Sequence, residues 1–117
     1  MISMREAYEK IGANYEDACA RLMGEEMLAR FALKFLDDES MDKLEAAMAA
    51  GDAEEAFMAA HTLKGVSQNL GFDNLYEPAV VVTEALRGAD AVDGAREGMH
   101  ALQQQYAATM SALRETA

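Results

Sequence analysis

The chain has 117 residues, of which 51% are hydrophobic, and it carries a formal net charge of −11 at pH 7. This length suits one domain, predicted to span residues 1–117, that buries a core without disulfides or metals. Such acidity leaves no basic face for nucleic acid or an anionic membrane, so we expect neither as a partner. With one cysteine, Cys19, and an opening segment unlike a signal peptide or membrane span, the chain is expected to be cytoplasmic.

The composition favours an all-α fold, because Ala, Glu, Leu and Met are abundant and no stretch alternates β-branched with polar residues. Two short helices are expected first, over residues 2–11 and, with Asn14 as N-cap, over residues 14–22. A helical pattern then covers residues 25–50. Its apolar residues form two stripes, which are Leu28, Phe31 and Phe35 and then Met41, Leu44 and Met48.

These two stripes lie on different faces of a helix at about 100° per residue. Residues 25–50 are therefore either one long helix that packs on two sides or two helices separated near residues 37–40. The sequence leaves this choice open. The boundary that follows is clearer, since Gly51 is typical of a helix C terminus and Asp52 with Glu55 resembles an acidic capping box.

The helix that starts at Asp52 is expected to end at Gly71. Asp73 is expected to cap the next helix, which ends near Gly88, and the last helix covers about residues 91–115. Joined by short loops, these helices predict an antiparallel four-helix bundle over about residues 24–116. The short helices over about residues 2–22 form an additional N-terminal segment.

One histidine stands in the middle of the helix over residues 52–71. The core stripe of this helix consists of Ala59, Leu63, Val66 and Leu70. The stripe lies on the face opposite His61, so we expect the imidazole to be exposed and accessible to another macromolecule. Lys64, Gly65 and Gln68 lie on the same side of the helix as His61.

The neighbours of His61 are unusual for an exposed helical face. Lys64 is the only basic side chain between residues 43 and 87, and it is a candidate for stabilising a negative group on the imidazole. Gly65 costs the helix about 1 kcal/mol relative to alanine, which indicates that a partner or a bound group approaches closely there. Phe57 and Met58 flank the same face and are either core-edge residues or the apolar rim of a docking surface.

The run HTLKGVSQNLG, from His61 to Gly71, resembles the phosphoacceptor signature of the histidine-phosphotransfer (HPt) domain family. The shared features are the histidine, the Lys–Gly pair three and four residues later, a small residue near the sixth position, and the glycine that ends the helix. The resemblance extends from about residue 14 to the C terminus.

The resemblance implies a phosphorelay intermediate in the form of a four-helix bundle. Such a protein takes a phosphoryl group from the aspartate of one receiver domain and passes it to another receiver. By this resemblance His61 is the phosphoacceptor, Lys64 assists the phosphoryl group, Gly65 opens the site, and Gln68 is placed to donate a hydrogen bond. The chain would be a monomeric carrier rather than an enzyme with turnover, without a cofactor of its own, and Mg²⁺ would come from the receiver.

Two other functions remain open at this stage. One is an adaptor with the same bundle that binds a receiver domain or a kinase without using its histidine, and the other is a helical enzyme with His61 as general base. We expect no metal site, because His61, His100 and Cys19 are far apart in sequence, and His100 is expected to be a surface residue. No glycine-rich nucleotide loop is present, which argues against an ATP-consuming kinase. The cognate kinase and receivers, and whether the chain stands alone or belongs to a larger hybrid kinase, are also open.

Overall fold

The computed structural model describes residues 1–116, which form α-helices and short 3-10 turns and contain no strand. The α-helices are α1 (Met4–Ile11), α2 (Tyr15–Leu22), α3 (Glu25–Lys34), α4 (Ser40–Ala50), α5 (Ala53–Asn69), α6 (Asp73–Leu86) and α7 (Arg96–Arg114). The 3-10 turns are Phe35–Asp37 and Asp93–Ala95. The predicted all-α fold is confirmed.

Helix α5 occupies the centre of the arrangement, packed against α4 on one side and α6 on the other. Helix α6 also packs against α7, and α1 lies along α7. Consecutive helices from α4 to α7 are linked by short loops, as in an antiparallel bundle. The all-α bundle is as predicted: α1 and α2 form the expected N-terminal segment, and α3 is a third short helix that precedes α4.

The segment over residues 25–50 consists of two helices, which decides the question that the sequence left open. Helix α3 ends at Lys34, the 3-10 turn follows, and the Asp38 carboxylate accepts a hydrogen bond of 2.9 Å from the Ser40 N–H at the start of α4. The change of direction allows both apolar stripes to reach the core, so that Leu28 and Leu44 are both fully buried.

The caps of α5 largely follow the sequence signals. Gly51 has a φ of 72°, and Asp52 Oδ1 accepts a hydrogen bond of 3.1 Å from the Glu55 N–H. The reciprocal half of the capping box is not formed, because the Asp52 N–H donates to the Ala47 carbonyl instead. The predicted cap of the next helix is wrong by one residue: α6 begins at Asp73, since the Phe72 carbonyl already accepts its first hydrogen bonds.

Two other boundaries differ slightly from the prediction. Helix α1 begins at Met4 because Ser3 and Glu6 form a reciprocal capping box before it. Helix α7 begins at Arg96, after the 3-10 turn that replaces the expected first turn of helix. Neither difference concerns α5 or its core stripe.

The C-terminal end of α5 is held by the N-terminal segment. Gly71 has a φ of 69°, and its carbonyl accepts a hydrogen bond of 2.7 Å from the Asn14 N–H. A Cβ at Gly71 would lie only 2.5 Å from the Asn14 carbonyl oxygen, so this position requires glycine. The buried Tyr8 hydroxyl donates a hydrogen bond of 2.6 Å to the Leu70 carbonyl, and burial raises the pKa of this phenol. These two hydrogen bonds thus hold the C-terminal end of α5 in place.

Candidate functional site

His61 lies at the middle of α5 with its side chain exposed. On the core side of α5, Ala60 and Leu63 are fully buried, whereas Val66, which the sequence predicts in the core stripe, is only partly buried. This division follows from the helical period, which places the exposed histidine away from a buried face that is apolar except for Ser67. The imidazole therefore projects from a rigid helix whose other face is fixed in the bundle core.

On the α6 side of His61, an aromatic ring and a guanidinium are brought together. The Phe57 and His61 rings stack with centroids 5.9 Å apart and planes inclined by 17°. The guanidinium carbon of Arg87, at the end of α6, lies 5.1 Å from the centroid of the same Phe57 ring. Phe57 is half-buried and packs against the core, so its ring is a stable platform next to the imidazole.

The charges on this side come from both helices. Arg87 Nε lies 2.8 Å from Glu84 Oε2, which lowers the pKa of the Glu84 carboxyl. The positive charge of Lys64 lowers the same pKa further, although more weakly than the hydrogen bond from Arg87. Lys64 itself is half-buried and forms no ion pair within 4 Å among residues 1–116. Glu84 is therefore ion-paired with Arg87 and also lies within electrostatic reach of Lys64.

Gly65 leaves space one helical turn beyond His61. A Cβ added at Gly65 would meet no atom of a neighbouring element within 4 Å, and the residue is exposed. The glycine is therefore not required for packing between helices of the bundle. Gln68 lies on the same face another turn along and is also exposed. The structure thus brings His61, Lys64, Gly65 and Gln68 to one open surface, as the helical period predicts.

On the α4 side of His61 the surface is apolar. Met58 is 56% exposed and borders a groove of about 580 Å³ between α4 and α5. The floor of this groove is formed by small side chains, which are Ala46, Ala47, Ala50 and Ala59. Phe57 and Met58, which the sequence places at the flanks of the His61 face, therefore lie on opposite sides of His61.

A family model described as Hpt domain matches residues 26–115 of the 117-residue chain. The chain belongs to the Hpt domain family. A search of curated proteins and a search of solved structures each found no match. The match begins at residue 26 rather than near residue 14, so α1 and α2, which contact the end of α5, lie outside the matched region.

Membership places this Hpt domain in two-component signalling, in the family of phosphorelay histidine-phosphotransfer proteins that interact with receiver domains. No helix within residues 1–116 has both the length and the apolar character needed to cross a membrane. In the same part of the chain, no three His, Cys, Asp or Glu side chains form a group that could hold a metal ion.

The second histidine of the Hpt domain has different surroundings. His100 is exposed on α7, as expected, and borders a smaller groove with Arg96 and Gln103. It has no aromatic ring stacked on it among the described residues and no glycine one turn later. His100 is consequently a matched surface histidine against which the properties of His61 can be tested.

Sequence reasoning missed two residues at the site, Glu84 and Arg87. They stand more than twenty positions after His61 and reach it only because α6 packs beside α5. A signal was present in the charge pattern, since Arg87 is the next basic residue after Lys64 in an acidic chain. Only the packing of the helices shows that Arg87 contacts the Phe57 ring that stacks on His61.

Proposed function

We propose that this Hpt domain is a phosphoryl carrier that accepts a phosphoryl group on His61 from a receiver-domain aspartate and passes it to the aspartate of another receiver. The observation that carries the proposal is the exposed His61 at mid-helix with Lys64, Gly65 and an open surface beside it. The carrier would act in the cytoplasm, where receiver domains are reached by diffusion.

Phosphoryl transfer requires few groups from the carrier. The lone pair of a neutral imidazole nitrogen attacks phosphorus, the P–O bond to the aspartate breaks, and the aspartate leaves as a carboxylate. Phosphoryl transfer depends mainly on positioning and on stabilisation of the charged oxygens. Helix α5 supplies the position, and Lys64 supplies a charge on the same face. The reverse of these steps delivers the group to the next receiver.

The receiver domain would supply the metal ion that the transfer requires. A receiver would bring the Mg²⁺ that neutralises the phosphoryl oxygens, so the carrier needs no cofactor. We assign Gln68 as a hydrogen-bond donor to the phosphoryl group, since its amide projects from the same open face. Met58 and Phe57 would contact the docked receiver on the two sides of His61. In this scheme the chain carries the group without ATP and without net turnover.

The test is labelling by a receiver domain that has been phosphorylated with acetyl phosphate. We expect acid-labile phosphate on the wild-type chain, since a phosphoramidate bond is labile in acid. The label should be absent from His61→Gln and unchanged in His100→Gln, which removes the matched surface histidine.

Three outcomes separate the candidate functions. Label that persists in His61→Gln would disprove the assignment of the phosphoacceptor. Binding of the receiver without label on the wild-type chain would support the adaptor function instead. Acid-stable label would indicate a hydroxyl acceptor rather than histidine.

A further inference from the structure

The structure holds Arg87 one aromatic ring away from His61. The guanidinium carbon lies 5.1 Å from the centroid of the Phe57 ring, and that ring stacks on the imidazole at 5.9 Å. Arg87 follows the last residue of α6, where the backbone has left the helical conformation with φ of −64° and ψ of 115°. Its side chain therefore starts from a helix end and extends over the surface of α5.

In the absence of phosphate, Arg87 is held by Glu84. Arg87 Nε lies 2.8 Å from Glu84 Oε2, and Nη2 lies 3.4 Å from Oε1. The Arg87 and Glu84 side chains are 53% and 56% exposed. An ion pair at this exposure is weak, because water and salt screen it and both side chains lose freedom in forming it. The guanidinium can exchange this partner for a stronger anion at little cost.

A phosphoryl group on His61 would be such an anion. It carries a charge of about −1.5 to −2 and three acceptor oxygens, whereas Glu84 carries one negative charge. Guanidinium groups bind phosphoryl oxygens through two parallel hydrogen bonds. The Arg87 contacts with Glu84 are unequal, at 2.8 Å and 3.4 Å. Resting on this proposed function, we propose that Arg87 is a second cation for the phosphoryl group on His61, and that Glu84 holds it in the unphosphorylated protein.

The arrangement of charges supports this division of roles. Lys64 follows His61 on α5, whereas Arg87 contacts Phe57, which precedes His61 by one turn. Along α5, the two cations are thus on either side of His61, Lys64 directly and Arg87 through its contact with Phe57. Glu84 lies close enough to both that each lowers its pKa. When the phosphoryl group arrives, both cations have a better partner within the same small region.

The chain also provides a matched control. Arg96 pairs with Asp93 at the same three-residue spacing, with Nε 3.3 Å from Oδ1 and with both side chains exposed. Asp93 and Arg96 lie at the start of α7, and within residues 1–116 this pair has no aromatic contact of the kind that Arg87 makes with Phe57. Substitution of Arg96 therefore reproduces the loss of a surface arginine and its ion pair without changing the surroundings of His61.

The experiment uses potassium phosphoramidate as a small phosphoryl donor, so that receiver docking does not enter. We expect Arg87→Gln to slow labelling of His61 by about threefold to tenfold, Arg87→Lys to recover part of the rate, and Arg96→Gln to leave it unchanged. Glu84→Gln should speed labelling by about twofold, since it frees Arg87, and this gain should disappear in the double variant with Arg87→Gln. Circular dichroism of each variant checks that the bundle is folded.

A second measurement follows the arginine directly. In ¹H–¹⁵N spectra, the Arg87 Nε–H resonance should move when His61 is phosphorylated, and the Arg96 resonance should not. Equal labelling rates for Arg87→Gln and Arg96→Gln, or an Arg87 resonance that does not move, would overturn the inference about Arg87 alone. Absence of label on wild-type His61 from both phosphoramidate and the phosphorylated receiver would instead refute the carrier function.

Discussion

His61 has two different sides on a single helix. Towards α6 it meets an aromatic ring and charged groups, with Phe57 stacked on it and Arg87 beyond that ring. Towards α4 it borders a groove with an alanine floor and the exposed side chain of Met58. Under the proposed function, charges on the α6 side would act on the phosphoryl group itself, whatever donor brings it, whereas an apolar groove would act only on a donor large enough to touch it.

This difference separates chemistry from docking. In the proposed scheme, a small donor such as phosphoramidate would meet only the charged side, while a phosphorylated receiver would meet both. Variants of the two sides should therefore respond differently to the two donors. The following experiments test that separation in order of expected effect, beginning with the open position between the two sides.

Gly65→Gln should have the largest effect. Its side chain would project into the space one turn beyond His61, where an incoming receiver must approach. We expect transfer from the receiver to fall by about 100-fold or more, because a displacement of about 1 Å at the reacting atoms has effects of this size. Labelling by phosphoramidate should change by no more than about twofold, since a small donor passes the side chain.

The fold provides the control for this experiment. Gly65 has no neighbour within 4 Å, so Gly65→Gln should keep a native circular dichroism spectrum, and Gly65→Ala should raise the stability of the bundle by up to about 1 kcal/mol. An unfolded Gly65→Gln would mean that the glycine packs against a neighbouring element. Normal transfer by a folded Gly65→Gln would mean that the receiver docks elsewhere.

Lys64→Ala should have an intermediate effect that is the same for both donors. Lys64 stands on the His61 face without an ion-pair partner within 4 Å in the described chain, and its charge is available to the phosphoryl oxygens. We expect labelling to slow by about tenfold with receiver and with phosphoramidate alike. Lys10→Ala, which removes a lysine paired with Glu115 on another surface, should leave both rates unchanged. A loss confined to the receiver would assign Lys64 to docking rather than to chemistry.

Met58→Glu should have the smallest effect and only with the receiver. A charge placed at the border of the α4 groove would oppose apolar contact with a docked partner, and we expect about fivefold slower transfer from the receiver. Val81→Glu is the matched control, because Val81 is 58% exposed on α6 against 56% for Met58. Slower labelling by phosphoramidate in Met58→Glu would contradict the separation of docking from chemistry.

The sequence was sufficient for the properties that depend on local periodicity. The exposure of His61 and Gly65 and the burial of Leu63 follow from their positions around one helix, and the structure agrees with all three. The caps at Gly51 and Asn14 were also predictable, because capping depends on backbone groups within a few residues. The all-α bundle followed from these helices and the short loops between them.

The tertiary structure decided everything that depends on which helices meet. The approach of Arg87 to Phe57 requires α6 to pack beside α5, and the Tyr8 hydrogen bond to Leu70 joins residues far apart in the chain. The division of residues 25–50 into two helices was likewise settled by packing, since only a change of direction lets both apolar stripes face one core. Helical periodicity specifies the face on which a side chain lies, but not which neighbouring helix covers that face. The two sides of His61 differ because packing places α6, with its charged end, on one side of α5 and the alanine-rich α4 on the other.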